Sequence, residues 1–244
     1  MLICLVAGVA RAVTVTGTDI RVDYIGTAGS TDLTYRVTVV IYTLCDASGT
    51  IGLRPSIEID VASQKNGISM KLPLEKVPAA AGDTLAPVCP GAALKHSCND
   101  ISAVSARPGY IRNVYTGVIS LPFRSDDWIF YYWHPGNGRG NTSINLCDSW
   151  VAHTAALCQF SNLERYDNSS PRFGADAFQY LLSGQPARIY NGVVDPDLDS
   201  LVVTPYYSLG CVQVNGSICP NCGLHSEIPF VAGYSLTNPV NTFP

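Results

Sequence analysis

Three carboxylates, Asp195, Asp197 and Asp199, stand at alternate positions in Asn191–Val203 (NGVVDPDLDSLVV). Alternate spacing lets an extended or turning backbone aim all three at one hard cation, and calcium favours such a shell of oxygen ligands. An EF-hand loop wants Gly at its sixth position and a bidentate Glu at its twelfth. Those positions hold Ser200 and Tyr206, so the EF-hand version fails. Two readings stay open. One is a cadherin-like junction site for Ca2+ that borrows ligands from another loop or repeat. The other is an acidic turn whose Asp side chains accept backbone N–H bonds.

The cysteines carry a second chemistry. There are nine: Cys4, Cys45, Cys89, Cys98, Cys147, Cys158, Cys211, Cys219 and Cys222. Cys219-Pro220-Asn221-Cys222 is a C-x-x-C, which in a thioredoxin-like chain follows a strand and opens a helix. Here it sits in a Gly/Pro-rich stretch with no helical pattern behind it. Cys211, Cys219, Cys222 and His225 could make one Cys3His zinc site, but a disulfide-tied loop is the favoured reading in an oxidising compartment. Proximity suggests bridges Cys89–Cys98 and Cys147–Cys158. Eight cysteines allow on the order of a hundred pairings, so spacing alone does not settle them.

Catalytic patterns are absent from the sequence. His96, His134, His153 and His225 are scattered, and there is no H-E-x-x-H, G-x-S-x-G or phosphate-cradling glycine loop. Asp126 and Asp127 are adjacent, and neighbours on a strand point to opposite faces. They cannot flank one glycosidic bond and read as turn residues. Beside them runs an aromatic strand, Trp128–Trp133 (WIFYYW). One of its faces must be core. The other is a candidate sugar-stacking platform, with Trp128, Tyr131 and Trp133 as candidate glycan contacts, although outward aromatics more often cover neighbouring strands. Asn141, Asn168 and Asn215 fit the N-glycosylation pattern, which marks surface loops.

The elements that must position these groups are strands. Ile20, Val22 and Tyr24 alternate with polar residues. After the turn-rich Gly26–Asp32, Tyr35, Val37, Val39 and Ile41 share one face, which predicts a hairpin. Ile57, Ile59 and Val61 repeat the alternation, as do Ile68, Met70, Leu72 and Leu74. Tyr110–Leu121 and Trp128–Trp133 are further strands, Pro78–Asn99 is a loop tied by a bridge, and Val151–Phe160 fits a short helix or an edge strand. Asn168–Phe173 reads as a linker, followed by strands at Phe178–Leu182, Arg188–Val194 and Leu201–Tyr207. No sustained helical period occurs. The prediction is an all-β chain: a β-sandwich (jelly-roll or Ig-like) over 13–167, then a second, partial Ig/cadherin-like sandwich unit over 168–244.

Charged residues make up 14% of the chain, which suits strands faced with hydroxyls, and the net charge of -4 offers no basic stripe for nucleic acid or anionic membrane. Residues 1–12 hold an apolar run too short for a transmembrane helix, which needs ~20 residues. Ala10-Arg11-Ala12 resembles a signal-peptidase site. Cleavage there removes Cys4 and leaves an even set of cysteines, as expected for export.

Several short motifs, in order, resemble secreted Bacteroidetes surface proteins, which are large modular chains with cadherin-like or PKD-type repeats and a gliding-motility-type C-terminal sorting domain. The matching pieces are Tyr35–Val39 with Ile41-Tyr42 and Cys45-Asp46; Tyr115–Val118 with Leu121-Pro122; Arg139–Asn141 with Ile144–Leu146; Asn168–Pro171 with Phe173; Val194–Leu201; and Gly233–Ser235 with Asn238-Pro239. The chain departs from the pattern at Leu198, where the family has Gly, and before Cys45, where an Asp is missing. Family members continue beyond the point of Pro244, so the match is to their N-terminal region. The resemblance implies a secreted or outer-membrane-attached surface module acting in adhesion or gliding motility. Its partners would be other repeats of the same chain and surface glycans or proteins. It implies no enzymatic activity. A carbohydrate-binding module built on the aromatic strand is the alternative.

Overall fold

The computed structural model describes residues 15–27, 31–45, 54–78, 84–85, 97–98, 109–133, 150–152, 155–174, 192–204 and 210–212. The strands are β1 (Val15–Tyr24), β2 (Thr34–Leu44), β3 (Ser56–Ser63), β4 (Ile68–Lys76), β5 (Thr84–Leu85), β6 (Tyr110–Ser120), β7 (Trp128–Trp133), β8 (Trp150–Ala152), β9 (Ala155–Phe160), β10 (Arg172–Phe173), β11 (Val193–Val194) and β12 (Gly210–Val212). Among the described residues there is no helix. The stretch 151–160, ambiguous between helix and strand in the sequence, contributes β9. No helix of the described residues is long and apolar enough to cross a membrane.

The main sheet is antiparallel, in the order β1-β2-β6-β4-β3-β7-β9, with β5 beside β6. It folds over on itself as a sandwich with a barrel-like curl. β6 and β4 cross with the shortest pairing in that order, at Glu75↔Thr116 and Lys76↔Tyr115. Gly117 marks the crossing: a Cβ there would stand 2.7 Å from the Pro73 carbonyl oxygen and 2.6 Å from Leu74 Cδ2. Only a residue without a side chain lets the two backbones approach so closely.

The inward faces follow from the period of two. Tyr35, Val37, Val39 and Ile41 of β2 are fully buried, as their alternation predicts. They meet Ile59 and Val61 of β3, Leu72 and Leu74 of β4, Tyr115 of β6, and Trp128, Phe130 and Tyr132 of β7 in one core. Phe123 stacks on Trp128 with ring centroids 5.1 Å apart, while Phe160 meets Tyr35 and Phe130 edge-on. Each such side chain contributes roughly 1.5–3 kcal/mol by leaving water.

The two ends of the sandwich are closed differently. At the end where β2 finishes and β6 begins, Cys45 is bridged to Cys98. The Cys45 N–H donates to the Gly109 carbonyl (2.8 Å), and the Gly109 N–H donates to Ser97 Oγ (2.7 Å). This corrects the expected Cys89–Cys98 bridge: the partner of Cys98 is 53 residues away in sequence, delivered by the β2–β6 pairing. Cys158 on β9 carries a free thiol, so the expected Cys147–Cys158 bridge is also corrected. Cys89, Cys147, Cys219 and Cys222 lie outside the described residues, as do all four histidines.

The opposite end is closed by hydrogen bonds. Asn162, fully buried, accepts the Ser125 N–H (2.7 Å) and donates to the Tyr35 hydroxyl (3.1 Å). The Tyr35 hydroxyl donates in turn to the Tyr166 carbonyl. Arg124 donates to the carbonyls of Asn162 (3.1 Å) and Glu164 (2.6 Å).

The two outer strands, β1 and β9, are brought side by side by the curl and run in the same direction. After β9 the chain turns back and lays Ser169 and Ser170 along β1. The Ser170 N–H donates to the Val22 carbonyl (2.7 Å), the Val22 N–H to Ser170 Oγ (2.8 Å), and the Tyr24 N–H to Ser169 Oγ (3.1 Å). The stretch read as a linker is therefore tied to the first strand. At the end of that stretch β10 pairs with β11, and β12 pairs with β8. Leu201–Thr204, expected to begin a strand, is irregular, while Phe178–Leu182 lies outside the described residues.

Candidate functional site

The acidic turn is built by Asp195. Its Oδ1 accepts the backbone N–H groups of Asp197 (2.8 Å) and Asp199 (3.3 Å), and the Leu198 N–H closes the turn on the Asp195 carbonyl (3.3 Å). This is the Asx-type arrangement in which a short carboxylate replaces missing main-chain partners. Leu198 adopts φ 66°, the left-handed region that suits Gly, and its side chain is 91% exposed. Glycine would adopt this backbone without the strain that a side chain brings.

The three carboxylates face different partners. Asp197 Oδ2 accepts the Ser169 N–H (2.5 Å). Arg165 lies near Asp197 and Asp199, with Nη2 3.9 Å from Asp197 Oδ1 and Nη1 3.8 Å from Asp199 Oδ1, and its Nε is 3.4 Å from Asp167. Among the described residues no group of three or more His, Cys, Asp or Glu side chains is arranged to hold a metal ion. As in the acidic-turn reading, Asp195 and Asp197 accept backbone N–H bonds, whereas the Asp199 carboxylate faces Arg165. Beside the turn lies a cleft of about 230 Å³, with Phe160, Ser161, Asn168, Asp195, Asp199 and Leu201 on its walls.

The aromatic strand β7 splits by face. Trp128, Phe130 and Tyr132 point into the core, and Trp128 is fully buried. Trp128 is thus removed from the candidate glycan contacts, a correction that follows from strand parity. Its Nε1 finds no hydrogen-bond partner among the described residues. Ile129, Tyr131 and Trp133 are half-buried on the outer face. Tyr131 stands opposite Asp60, which stands opposite Lys71, and Lys71 Nζ reaches Asp60 at 2.6 Å. Burial, reinforced by the Asp60 charge, raises the Tyr131 hydroxyl above its ordinary pKa.

Asp126 and Asp127 behave as turn residues. Asp127 accepts the Lys65 N–H (2.7 Å), Ser125 Oγ (2.6 Å) and Ser63 Oγ (2.7 Å), and these bonds bring its carboxyl down to about 2. Asp126 pairs with Lys65 Nζ at 2.6 Å. Asn66 donates to Ser63 Oγ (2.8 Å) and Ser125 Oγ (3.1 Å). This polar knot links the β3–β4 turn to the entry of β7. Its sequence signal is slight: Ser, Asn and Asp in turns look alike whether they face water or one another.

Cys158 lies at the seam of β1 and β9, where its thiol meets Ser170 and the Asp19 carboxylate is near. Burial pushes that thiol up to about 12, which leaves little of the nucleophilic thiolate at neutral pH. Nothing in the sequence distinguished it from the other cysteines. Comparison of the chain with known protein families, characterised proteins and solved structures finds no match.

Proposed function

We propose that this chain is an exported, non-enzymatic β-sandwich module of a bacterial cell-surface protein, serving adhesion or gliding motility. The observation that carries the reading is the Cys45–Cys98 bridge, since structural disulfides form and persist in oxidising compartments. The use of the acidic side chains supports it further. Asp127, Asp195 and Asp197 are occupied with holding loops in place, an arrangement suited to a scaffold. The order of short motifs shared with secreted surface proteins points the same way.

The test is to express the chain with its own N-terminus, fractionate the cells and map the Cys45 and Cys98 peptides without reduction. Bridged protein that external protease digests on intact cells is the expected result. Reduced protein confined to the cytosol would end the reading. In a surface module the acidic turn is also the place for calcium, which would have to compete with Arg165 for Asp197 and Asp199. Removal of calcium by chelator should then lower the melting temperature, and an unchanged transition would count against the ion.

The outer face of β7 favours a second reading, a carbohydrate-binding module, because Tyr131 and Trp133 remain partly exposed on adjacent outward positions. Binding on a glycan array that Trp133→Ala abolishes and Phe173→Ala leaves intact would favour it over the first.

A further inference from the structure

We infer that the acidic turn is a latch: Asp197 holds the Ser169–Ser170 strap in the seam between β1 and β9, and its release bares the outer edge of β1 together with Cys158. This holds whatever the module binds.

A chain of contacts links the acidic turn to the first strand. Asp197 belongs to a turn whose own shape is set by Asp195. Its side chain is 14% exposed, against 56% for Asp199, and its Oδ2 accepts the Ser169 N–H. Ser169 then uses its hydroxyl, and Ser170 its hydroxyl and N–H, to occupy Val22 and Tyr24 on β1. Two of these three bonds to the strand use side-chain oxygens where a neighbouring strand would offer carbonyls. The strap therefore caps the edge without continuing the sheet, and few bonds hold it. The Cys158 side chain packs against the core and interacts with that of Ser170, so the thiol reports whether the strap is seated. A mostly buried carboxylate accepting a backbone N–H makes one of the stronger hydrogen bonds available to such a strap.

Full-length oxidised protein is treated with iodoacetamide, and modification is read at Cys158 by peptide mapping. Asp197→Ala should speed labelling about tenfold, as expected for loss of a charge-assisted bond, with the near-ultraviolet signature of the packed aromatics retained. Asp199→Ala, which loses only the distant approach of Arg165, should label at the wild-type rate. A rate within twofold of wild type in Asp197→Ala, or equal acceleration in Asp199→Ala, overturns the latch. Should Asp197→Ala fail to fold, hydrogen exchange in the wild-type protein decides. The amides of Val22, Tyr24 and Ser170 should then exchange together and faster than those of Val39 and Tyr115. Exchange as slow as that of Val39 overturns the latch.

Discussion

The two ends of the sandwich solve one problem by different means. Where β2 finishes, a covalent bridge joins Cys45 to Cys98, and Asn113 fastens the strands beside it by donating to Thr43 Oγ1 at 3.2 Å. Where β7 begins, no bridge occurs among the described residues. Asn162, Ser125, Ser63 and Asp127 hold the loops through hydrogen bonds, and Ser63, Ser125 and Asn162 are at most 4% exposed. A disulfide acts mainly by restricting the unfolded chain, whereas the polar knot acts by satisfying groups the fold has taken from water. One end is therefore conditional on redox state and the other on protonation, so each can be disturbed alone.

The largest effect should come from the covalent end. A bridge spanning 53 residues contributes about 4 kcal/mol on the chain-entropy account. Cys98→Ala should lower stability by that amount in a denaturant titration and shift the melting temperature by roughly 10 °C. Added reductant should then have no further effect at this bridge. Next is Asn162→Ala, which leaves the Ser125 N–H without its acceptor and the Tyr35 hydroxyl without its donor. About 2–3 kcal/mol should be lost, equally in oxidised and reduced protein. A loss confined to the oxidised form would show that the ends are coupled, which would break the comparison.

The protonation dependence of the second end comes from Asp127. Its carboxyl is held at about 2, below the ordinary 3.8, so its contribution is fully present above pH 3.8 and fades as pH falls through about 2. Melting temperatures across that window should drop in the wild type and change less in Asp127→Asn. Identical profiles would remove Asp127 from the account. The smallest effect is expected at Leu198→Gly, outside both closures. Relief of the left-handed backbone, offset by added freedom in the unfolded chain, should stabilise by roughly 0.5 kcal/mol. Neither the redox nor the acid response should move.

What was legible in the sequence follows from period and parity. The alternation in β2 placed Tyr35, Val37, Val39 and Ile41 inward, and they are the centre of the core. In β7 the same alternation could not say which face is inward, because Trp128-Phe130-Tyr132 and Ile129-Tyr131-Trp133 are almost equally apolar. Trp128 was therefore misplaced among surface contacts. The bridge was missed for a different reason. Cys45 and Cys98 meet only because β6 lies beside β2, and nearness in sequence carries no trace of sheet order. The polar knot was hidden by its composition, since Ser63, Ser125 and Asp127 look like the usual residues of exposed turns. The acidic turn showed its shape through Asp195, but its role toward Ser169 depends on a contact across 28 residues.

The position of β6 has a kinetic consequence. Hairpins β1–β2 and β3–β4 join neighbours in sequence and can form within about 1–10 μs. The sheet is complete only when β6, far along the chain, enters between β2 and β4. Long separations of this kind slow folding, because loop entropy is lost before the contacts form. The Cys45–Cys98 bridge leads from the last residues of β2 almost to the start of β6. Once oxidised, the chain makes its late strand a near neighbour of the strand it must join. In the absence of a bridge, the half-sheets would wait with open inner edges, which is the interval in which such a protein is most exposed to aggregation and to proteases.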